Sequence, residues 1–183
     1  TYALGSASTT ISGVTVSLTP STANDASKVV VEFCVGSQGA MSVGDQIVIT
    51  FPNNTSLPSS MNADSIKVET TACTVAPTID QSNRKITITT PIAITYASPC
   101  TNPTTVTIAS AGNIVNPSEP CTSCYVAIVR TNVEVTNVNS SGYTVTSQTT
   151  TASSVRLGFW NTSTPSDTLP TYWAINTANV PYV

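Results

Sequence analysis

Residues 43–52 read VGDQIVITFP, and this stretch decides the fold class. Its Gly44-Asp45 pair is typical of a turn, because Gly tolerates positive φ and Asp hydrogen-bonds nearby backbone. The residues after the turn alternate between an apolar and a polar face, which predicts a half-buried β-strand. The two faces are Ile47, Ile49 and Phe51 against Gln46 and Thr50. Pro52 ends the strand, since proline cannot donate a hydrogen bond to a neighbouring strand.

The same two-residue period recurs along the chain and predicts further strands. Their apolar residues are Val14, Val16, Leu18; Val29, Val31, Phe33, Val35; Ile66, Val68; Ile86, Ile88; Val106, Ile108; Tyr143 and Val145. The longest predicted strand covers 125–135, with Tyr125, Ala127, Val129, Val133 and Val135 on one face. Short alternating strands separated by turn residues predict an all-β, Ig-like antiparallel β-sandwich of about seven to nine strands. We expect the strand in 43–52 to lie at its centre.

The length of 183 residues favours a single domain with a sizeable core. We place the sandwich at 13–150, after an extended N-terminal segment, 1–12. A C-terminal segment, 151–183, begins with an alternating strand from Val155 and holds both tryptophans of the chain. Its aromatic residues either pack over the sandwich or form a docking or ligand surface, and the candidates for that surface are Trp160, Tyr172 and Trp173.

Composition excludes several function classes. Charged residues make up only 8% of the chain, the formal net charge is −3, and the six Lys and Arg form no basic stripe. Nucleic acid is therefore not an expected partner, because such binding needs clustered positive charge. No apolar run is long enough for a membrane span. Abundant hydroxyl residues, 33 Thr and 24 Ser, supply the polar faces of the strands instead.

Several features point to export. The sequence starts at Thr1 without Met, as expected of a mature chain whose signal peptide has been removed. We therefore expect the protein outside the cell or at the cell surface. Glycosylation sequons begin at Asn53, Asn54, Asn139 and Asn161, so glycans are candidate modifications or partners. Five cysteines in an exported chain predict disulfides with one thiol left over. We favour Cys73–Cys100, while Cys121 and Cys124 either pair with each other or send one sulfur to Cys34.

Catalytic chemistry has little support in the residues. The chain has no His, so a Ser/His or Cys/His pair is excluded. The Cys121-Thr-Ser-Cys124 motif lacks a following helix, which disfavours a redox site, and a zinc site would need further ligands. Two alternatives stay open: calcium held by loop Asp residues, and an intramolecular bond from a buried Lys28. We expect no enzyme activity, no cofactor and no metal.

One family resemblance adds to this interpretation. Residues 13–23 (GVTVSLTPSTA) and 28–60, which include GDQIVITFP, resemble Ig-like modules of secreted prokaryotic surface proteins with a GDxIxIxFP strand. The likeness continues through RKITITTPIAI, TTVTIASAGNIVNPSEP and CYVAIVRTNVEV and covers roughly 13–150. The chain departs from the family where the turn glycine before the long strand is replaced by Cys121-Thr122-Ser123-Cys124.

The resemblance implies a structural role. Single-domain members look like subunits of extracellular archaeal or bacterial filaments, in which a terminal strand of one subunit completes the sandwich of the next. We therefore predict a homopolymer joined by the N-terminal segment, whose candidate contact residues are Tyr2, Leu4 and Ala7. The predicted acceptor is the strand in 125–135, near Val126 and Ile128. The alternatives are a carbohydrate-binding or adhesive module that uses the C-terminal aromatics, and a stalk domain of a larger adhesin or surface-layer protein.

Overall fold

The computed structural model describes residues 10–97 and 99–149, together with the backbone of 155–156 and 174–175. Its strands are β1 (Ser12–Thr19), β2 (Ala26–Cys34), β3 (Gln46–Thr50), β4 (Ile66–Val68), β5 (Thr71–Ala72), β6 (Thr78–Asp80), β7 (Lys85–Thr89), β8 (Thr104–Ile108), β9 (Ile114–Val115), β10 (Cys121–Tyr125), β11 (Ile128–Thr131), β12 (Val138–Asn139), β13 (Tyr143–Val145), β14 (Val155–Arg156) and β15 (Ala174–Ile175). Two short 3₁₀ turns cover Ala63–Ser65 and Ser110–Gly112. In this part of the chain no helix is long and apolar enough to cross a membrane.

The chain divides into two compact units, Thr1–Gln148 and Thr149–Val183. The first unit contains β1 to β13. In the second unit β14 and β15 pair antiparallel, with Val155 opposite Ile175 and Arg156 opposite Ala174. The strand predicted from Val155 is therefore present as β14, whereas Trp160, Tyr172 and Trp173 lie outside the described residues.

Two large antiparallel sheets and one separate two-stranded ladder form the first unit. The first sheet has the order β1-β2-β8-β4-β5, with β9 also pairing with β2. The second sheet has the order β12-β11-β3-β7-β6, and β10 pairs with β13 in a separate two-stranded ladder. The predicted all-β sandwich is confirmed, and β3, which carries the VGDQIVITFP pattern, is the central strand of its sheet.

The core lies between the two sheets because alternate residues of each strand face inward. In β2 the side chains of Val29, Val31 and Phe33 are fully buried, and Ile47 and Ile49 of β3 are buried in the same hydrophobic cluster. This alternation is what the sequence predicts.

The outer face of β3 departs from the prediction at one position. Val48 is buried although it lies on the face that carries Gln46 and half-buried Thr50. Its direct cross-strand neighbours are Arg130 of β11 and Thr87 of β7. Residues directly opposite in antiparallel strands lie on the same face. We therefore attribute the burial of Val48 to its own sheet neighbours.

The predicted strand in 125–135 is wrong in its extent. The segment contains the end of β10 and all of β11, and then turns at Thr131, whose N–H donates to the carbonyl of Glu134 over 3.0 Å. The Glu134 N–H in turn donates to Thr131 Oγ1 over 2.8 Å. This turn places Val133 and Val135 in solvent and Glu134 in the interior, the reverse of a continuing strand.

The strand registers define two ends of the sandwich. At what we call the N-terminal end, Ser12 pairs with Cys34 and Gln46 pairs with Thr89. At the opposite end, Thr50 pairs with Ile128. Beyond that point β10 and β13 continue, with Cys121 opposite Val145. The segment that precedes β1 therefore joins the sandwich at one end, and β10 lies at the other.

Candidate assembly surfaces

The start of β1 is anchored to the core. Ile11 is buried, and the β1–β2 register shifts between Ser12 and Thr15. Gly13 lies within that shift with φ of +62°, a conformation that favours glycine. Tyr2, Leu4 and Ala7, the predicted joint residues of the N-terminal segment, lie outside the described residues. Any removal of this segment should therefore stop before Thr10 and Ile11.

The strand in 125–135, the predicted acceptor, has no open edge along β11. Ile128 pairs with Thr50 of β3 along one edge and with Asn139 of β12 along the other. Both edges of this strand are therefore occupied within the same chain. Ile128 and the preceding Val126 are half-buried.

β10 offers an open edge instead. It pairs with β13 along one edge, and within the described ranges no strand pairs with its other edge. The reason is the end of β3 at Thr50, after which Pro52 cannot donate to a ladder and the chain turns away. An open strand edge presents N–H and C=O groups that can pair with another strand.

The open edge has an irregular shape. The β10–β13 register shifts between Cys121 and Tyr125, and Ser123 has φ of +55°. A disulfide joins Cys121 to Cys124 across this irregularity. Such bulges restrict indiscriminate pairing of edge strands.

Two tyrosines pack against each other at the C-terminal end of β10. Tyr125 and Tyr143 face each other with ring centroids 6.0 Å apart, and the Tyr125 hydroxyl donates to the carbonyl of Glu119 over 2.6 Å. Burial, with a smaller contribution from Tyr125, raises the pKa of Tyr143 well above its ordinary value, so its phenol stays neutral.

The disulfides confirm part of the cysteine prediction. Two bridges leave one thiol over, and Cys121 pairs with Cys124, one of the two alternatives. Cys34 pairs with Cys100, with Cα atoms 6.0 Å apart, and the sequence did not predict this pair. The favoured Cys73–Cys100 pair is wrong. Cys73 is a buried thiol in the hydrophobic core, and its N–H donates to the carbonyl of Ile66 over 2.9 Å in the first sheet. Burial raises the pKa of the Cys73 thiol, which keeps it protonated.

The loops at the N-terminal end are held by side chains. Asp45 accepts the Ser42 N–H over 2.7 Å and the Asn132 Nδ2–H over 2.8 Å, while Asn132 Oδ1 accepts the Gln46 N–H over 2.8 Å. The bond from Asn132, followed by that from Ser42, lowers the pKa of Asp45. Gly44 has φ of +95°, as the predicted turn requires.

A buried carboxylate adds a second link between these loops. Glu134 is only 1% exposed, and its Oε1 and Oε2 accept the Gly36 N–H over 3.1 and 2.9 Å. A Cβ atom at Gly39 would lie 2.1 Å from Oε2, so the loop closes on the carboxylate only with glycine there. Sequence reasoning missed this contact because the partners are 98 residues apart.

Three of the four sequon asparagines can be placed. Asn53, Asn54 and Asn139 are exposed, and Asn161 lies outside the described residues. Thr55, the hydroxyl residue of the Asn53 sequon, is 7% exposed, and its Oγ1 has no hydrogen-bond partner among the described residues. The surface of the folded chain therefore presents Asn54 and Asn139 more completely than the Asn53 sequon.

The described residues give little support to an intramolecular lysine bond or to a metal site. Lys28 is exposed, which contradicts the buried lysine that an intramolecular bond needs. The described residues contain no group of three or more His, Cys, Asp or Glu side chains arranged to hold a metal ion. A scan against protein-family models and a search of curated proteins found no match to this chain.

Proposed function

We propose that this protein is a structural, self-assembling subunit of an extracellular filament, and that residues 1–9 of one copy pair with the open edge of β10 in the next. The observation that carries the proposal is that β1, which follows residues 1–9 in the chain, starts at one end of the sandwich, whereas the open edge of β10 lies at the opposite end. A contact between two different surfaces repeats head to tail, and where the rotation does not close a ring it produces an open filament.

The composition of residues 1–9 supports their role as the inserted strand. Residues 1–9 read TYALGSAST and contain no proline, so each residue after the first can bring a backbone N–H to a ladder. Small residues surround Tyr2 and Leu4, which suits close approach to an irregular edge. The C-terminal segment carries Pro165, Pro170 and Pro181, each of which would interrupt such pairing.

The mode of joining would be β-strand addition. Main-chain hydrogen bonds to β10 supply affinity, and side chains that alternate along the inserted strand supply specificity. The bulge at Ser123 and the Cys121–Cys124 bridge make the acceptor edge selective, because a flat strand of bulky residues cannot follow it.

Two further observations support an extracellular location and repeated packing. Two disulfides are stable in an oxidising compartment. A net charge of −3 over 183 residues creates little repulsion between copies. Exposed Asn54 and Asn139 are the sites at which we propose glycans on the filament surface.

Deletion of residues 1–9 tests the proposal, with negative-stain electron microscopy as the readout and circular dichroism as the check on folding. We expect the full chain to form uniform fibres and the truncated chain to fold without forming them. Ala7→Pro should impair fibre formation by removing one backbone donor, while Ala7→Ser, which keeps that donor, should not. Normal fibres from the truncated chain would exclude residues 1–9 as the joint.

A further inference from the structure

Exposed apolar side chains are concentrated at the N-terminal end of the sandwich. Among the described residues, five large hydrophobic side chains are exposed, and four of them lie at this end. They are Val43, Tyr96, Val133 and Val135, with exposed fractions of 67%, 46%, 39% and 66%. We call these four residues the apolar end surface. The fifth, Val75, is 52% exposed and belongs to the connection between β5 and β6.

The loop after β11 buries a charged side chain and exposes two apolar ones, the reverse of ordinary burial preferences. Glu134 is 1% exposed, whereas its neighbours Val133 and Val135 face solvent. Glutamate is almost never fully buried without partners, and valine is among the residues most often found inside. An exposed apolar patch beside a buried carboxylate is therefore an informative departure.

Specific bonds hold this inversion. The Gly36 N–H donates to both carboxylate oxygens of Glu134, and the Thr131 hydroxyl accepts the Glu134 N–H. The space at Gly39 is filled by the carboxylate. Turning either valine inward would expel a hydrogen-bonded carboxylate, so the valines stay outside.

The other two residues of the apolar end surface, Val43 and Tyr96, lie in loops at the same end of the sandwich. Val43 lies two residues before Asp45, which accepts a hydrogen bond from Asn132, the residue before Val133. Tyr96 lines a cavity of about 160 Å³ with Ser12, Gly36 and the Cys34–Cys100 bridge. Asp45 and Glu134, the acidic residues in these loops, are both occupied by internal hydrogen bonds. These hydrogen bonds fix the loops that carry the apolar end surface.

We infer that the apolar end surface is a contact site for a second copy of this chain. The segment that leads into β1 joins the sandwich at this end, next to Ser12 and Tyr96, so a copy held by that segment is brought against it. Four side chains cover only part of the roughly 800 Å² per partner that a stable interface buries. The surface therefore supplies the apolar centre of the joint, and strand pairing supplies the rest. This inference rests on the self-association proposed above.

The test uses the full chain with Val133→Thr and Val135→Thr combined, because threonine keeps the shape of valine and adds a hydroxyl that opposes dehydration. Val75→Thr is the matched control on an exposed valine away from this end. Sedimentation velocity over a concentration series measures association, and electron microscopy shows its form. We expect the double variant to need at least a tenfold higher concentration to associate, and the control to match the wild type.

The outcomes separate the two proposals. Fibres that the double variant weakens support both, and closed oligomers that it weakens support the contact surface while excluding a filament. Fibres unaffected by the double variant overturn the contact surface and leave the filament standing. A wild-type chain that stays monomeric at every concentration overturns both, and equal weakening by Val75→Thr overturns the assignment to this end.

Discussion

Removal of the Glu134 carboxylate should destabilise the sandwich far more than removal of an exposed carboxylate. Its oxygens accept the Gly36 N–H over 3.1 and 2.9 Å in a fully buried site. A hydrogen bond to a charged group contributes about 1.5–3 kcal/mol, and a buried donor left without a partner costs about 1–3 kcal/mol. We expect Glu134→Ala to lower the free energy of unfolding by about 2–4 kcal/mol. Glu134→Gln, which keeps the shape, should cost about 1–2 kcal/mol.

Glu69→Gln is the matched control. The Glu69 carboxylate also accepts a backbone N–H, from Thr105 over 3.0 Å, but it is exposed. Its replacement should change stability by less than about 0.5 kcal/mol. Urea unfolding followed by fluorescence gives the three values, with the m-value as a check that the transition keeps its form. If Glu134→Gln and Glu69→Gln had equal effects on stability, the buried carboxylate would not be what fixes the loop. The exposure of Val133 and Val135 would then need another cause.

Three further predictions concern the cysteines, the core and pH. Alkylation of the unfolded, unreduced chain should modify one thiol, Cys73, and alkylation of the folded chain should modify none, as measured by mass spectrometry. Two or more modified thiols in the unfolded chain would contradict the disulfide pairs. Ile49→Ala should cost about 2–5 kcal/mol in urea unfolding by leaving a core cavity, whereas half-buried Thr50→Ala should cost far less; equal costs would refute the face assignment. The pKa of Asp45 is lowered from 3.8 by its hydrogen bonds, so its contribution is complete above pH 3.8 and is lost as pH falls through the folded-state pKa. The melting temperature of Asp45→Asn should therefore be lower than that of the wild type at neutral pH, with the difference vanishing in acid; a constant difference would exclude this linkage.

The strands were predictable where one face is buried and the pattern is local. The alternation around Ile47 and Ile49 predicts β3, and the alternation around Val31 and Phe33 predicts β2. The alternation does not by itself determine the central place of β3, because β1 also buries apolar residues on one face and lies at the edge of its sheet.

The failures have tertiary causes. Alternation through 133–135 predicts a continuing strand, because the local pattern cannot report that Glu134 meets Gly36 across 98 residues. The cysteine spacing cannot report that Cys34 and Cys100 lie at the same end while Cys73 faces the core. The alternation likewise cannot report which strand edges are paired, since only the sheet order shows that β11 has partners on both edges and that β10 has a described partner on one edge.

Photo-crosslinking can show whether residues 1–9 pair with β10 of another copy. A photo-reactive phenylalanine analogue replaces Tyr2 in an equal mixture of ¹⁴N- and ¹⁵N-labelled full chains, and the crosslinked peptides are identified by mass spectrometry. We expect mixed-isotope crosslinks between the peptide that begins at Thr1 and the peptide that contains Cys121–Tyr125. Crosslinks to 121–125 found only within single-isotope pairs would show that the segment folds back on its own chain. Mixed-isotope crosslinks that map elsewhere would contradict β10 as the acceptor.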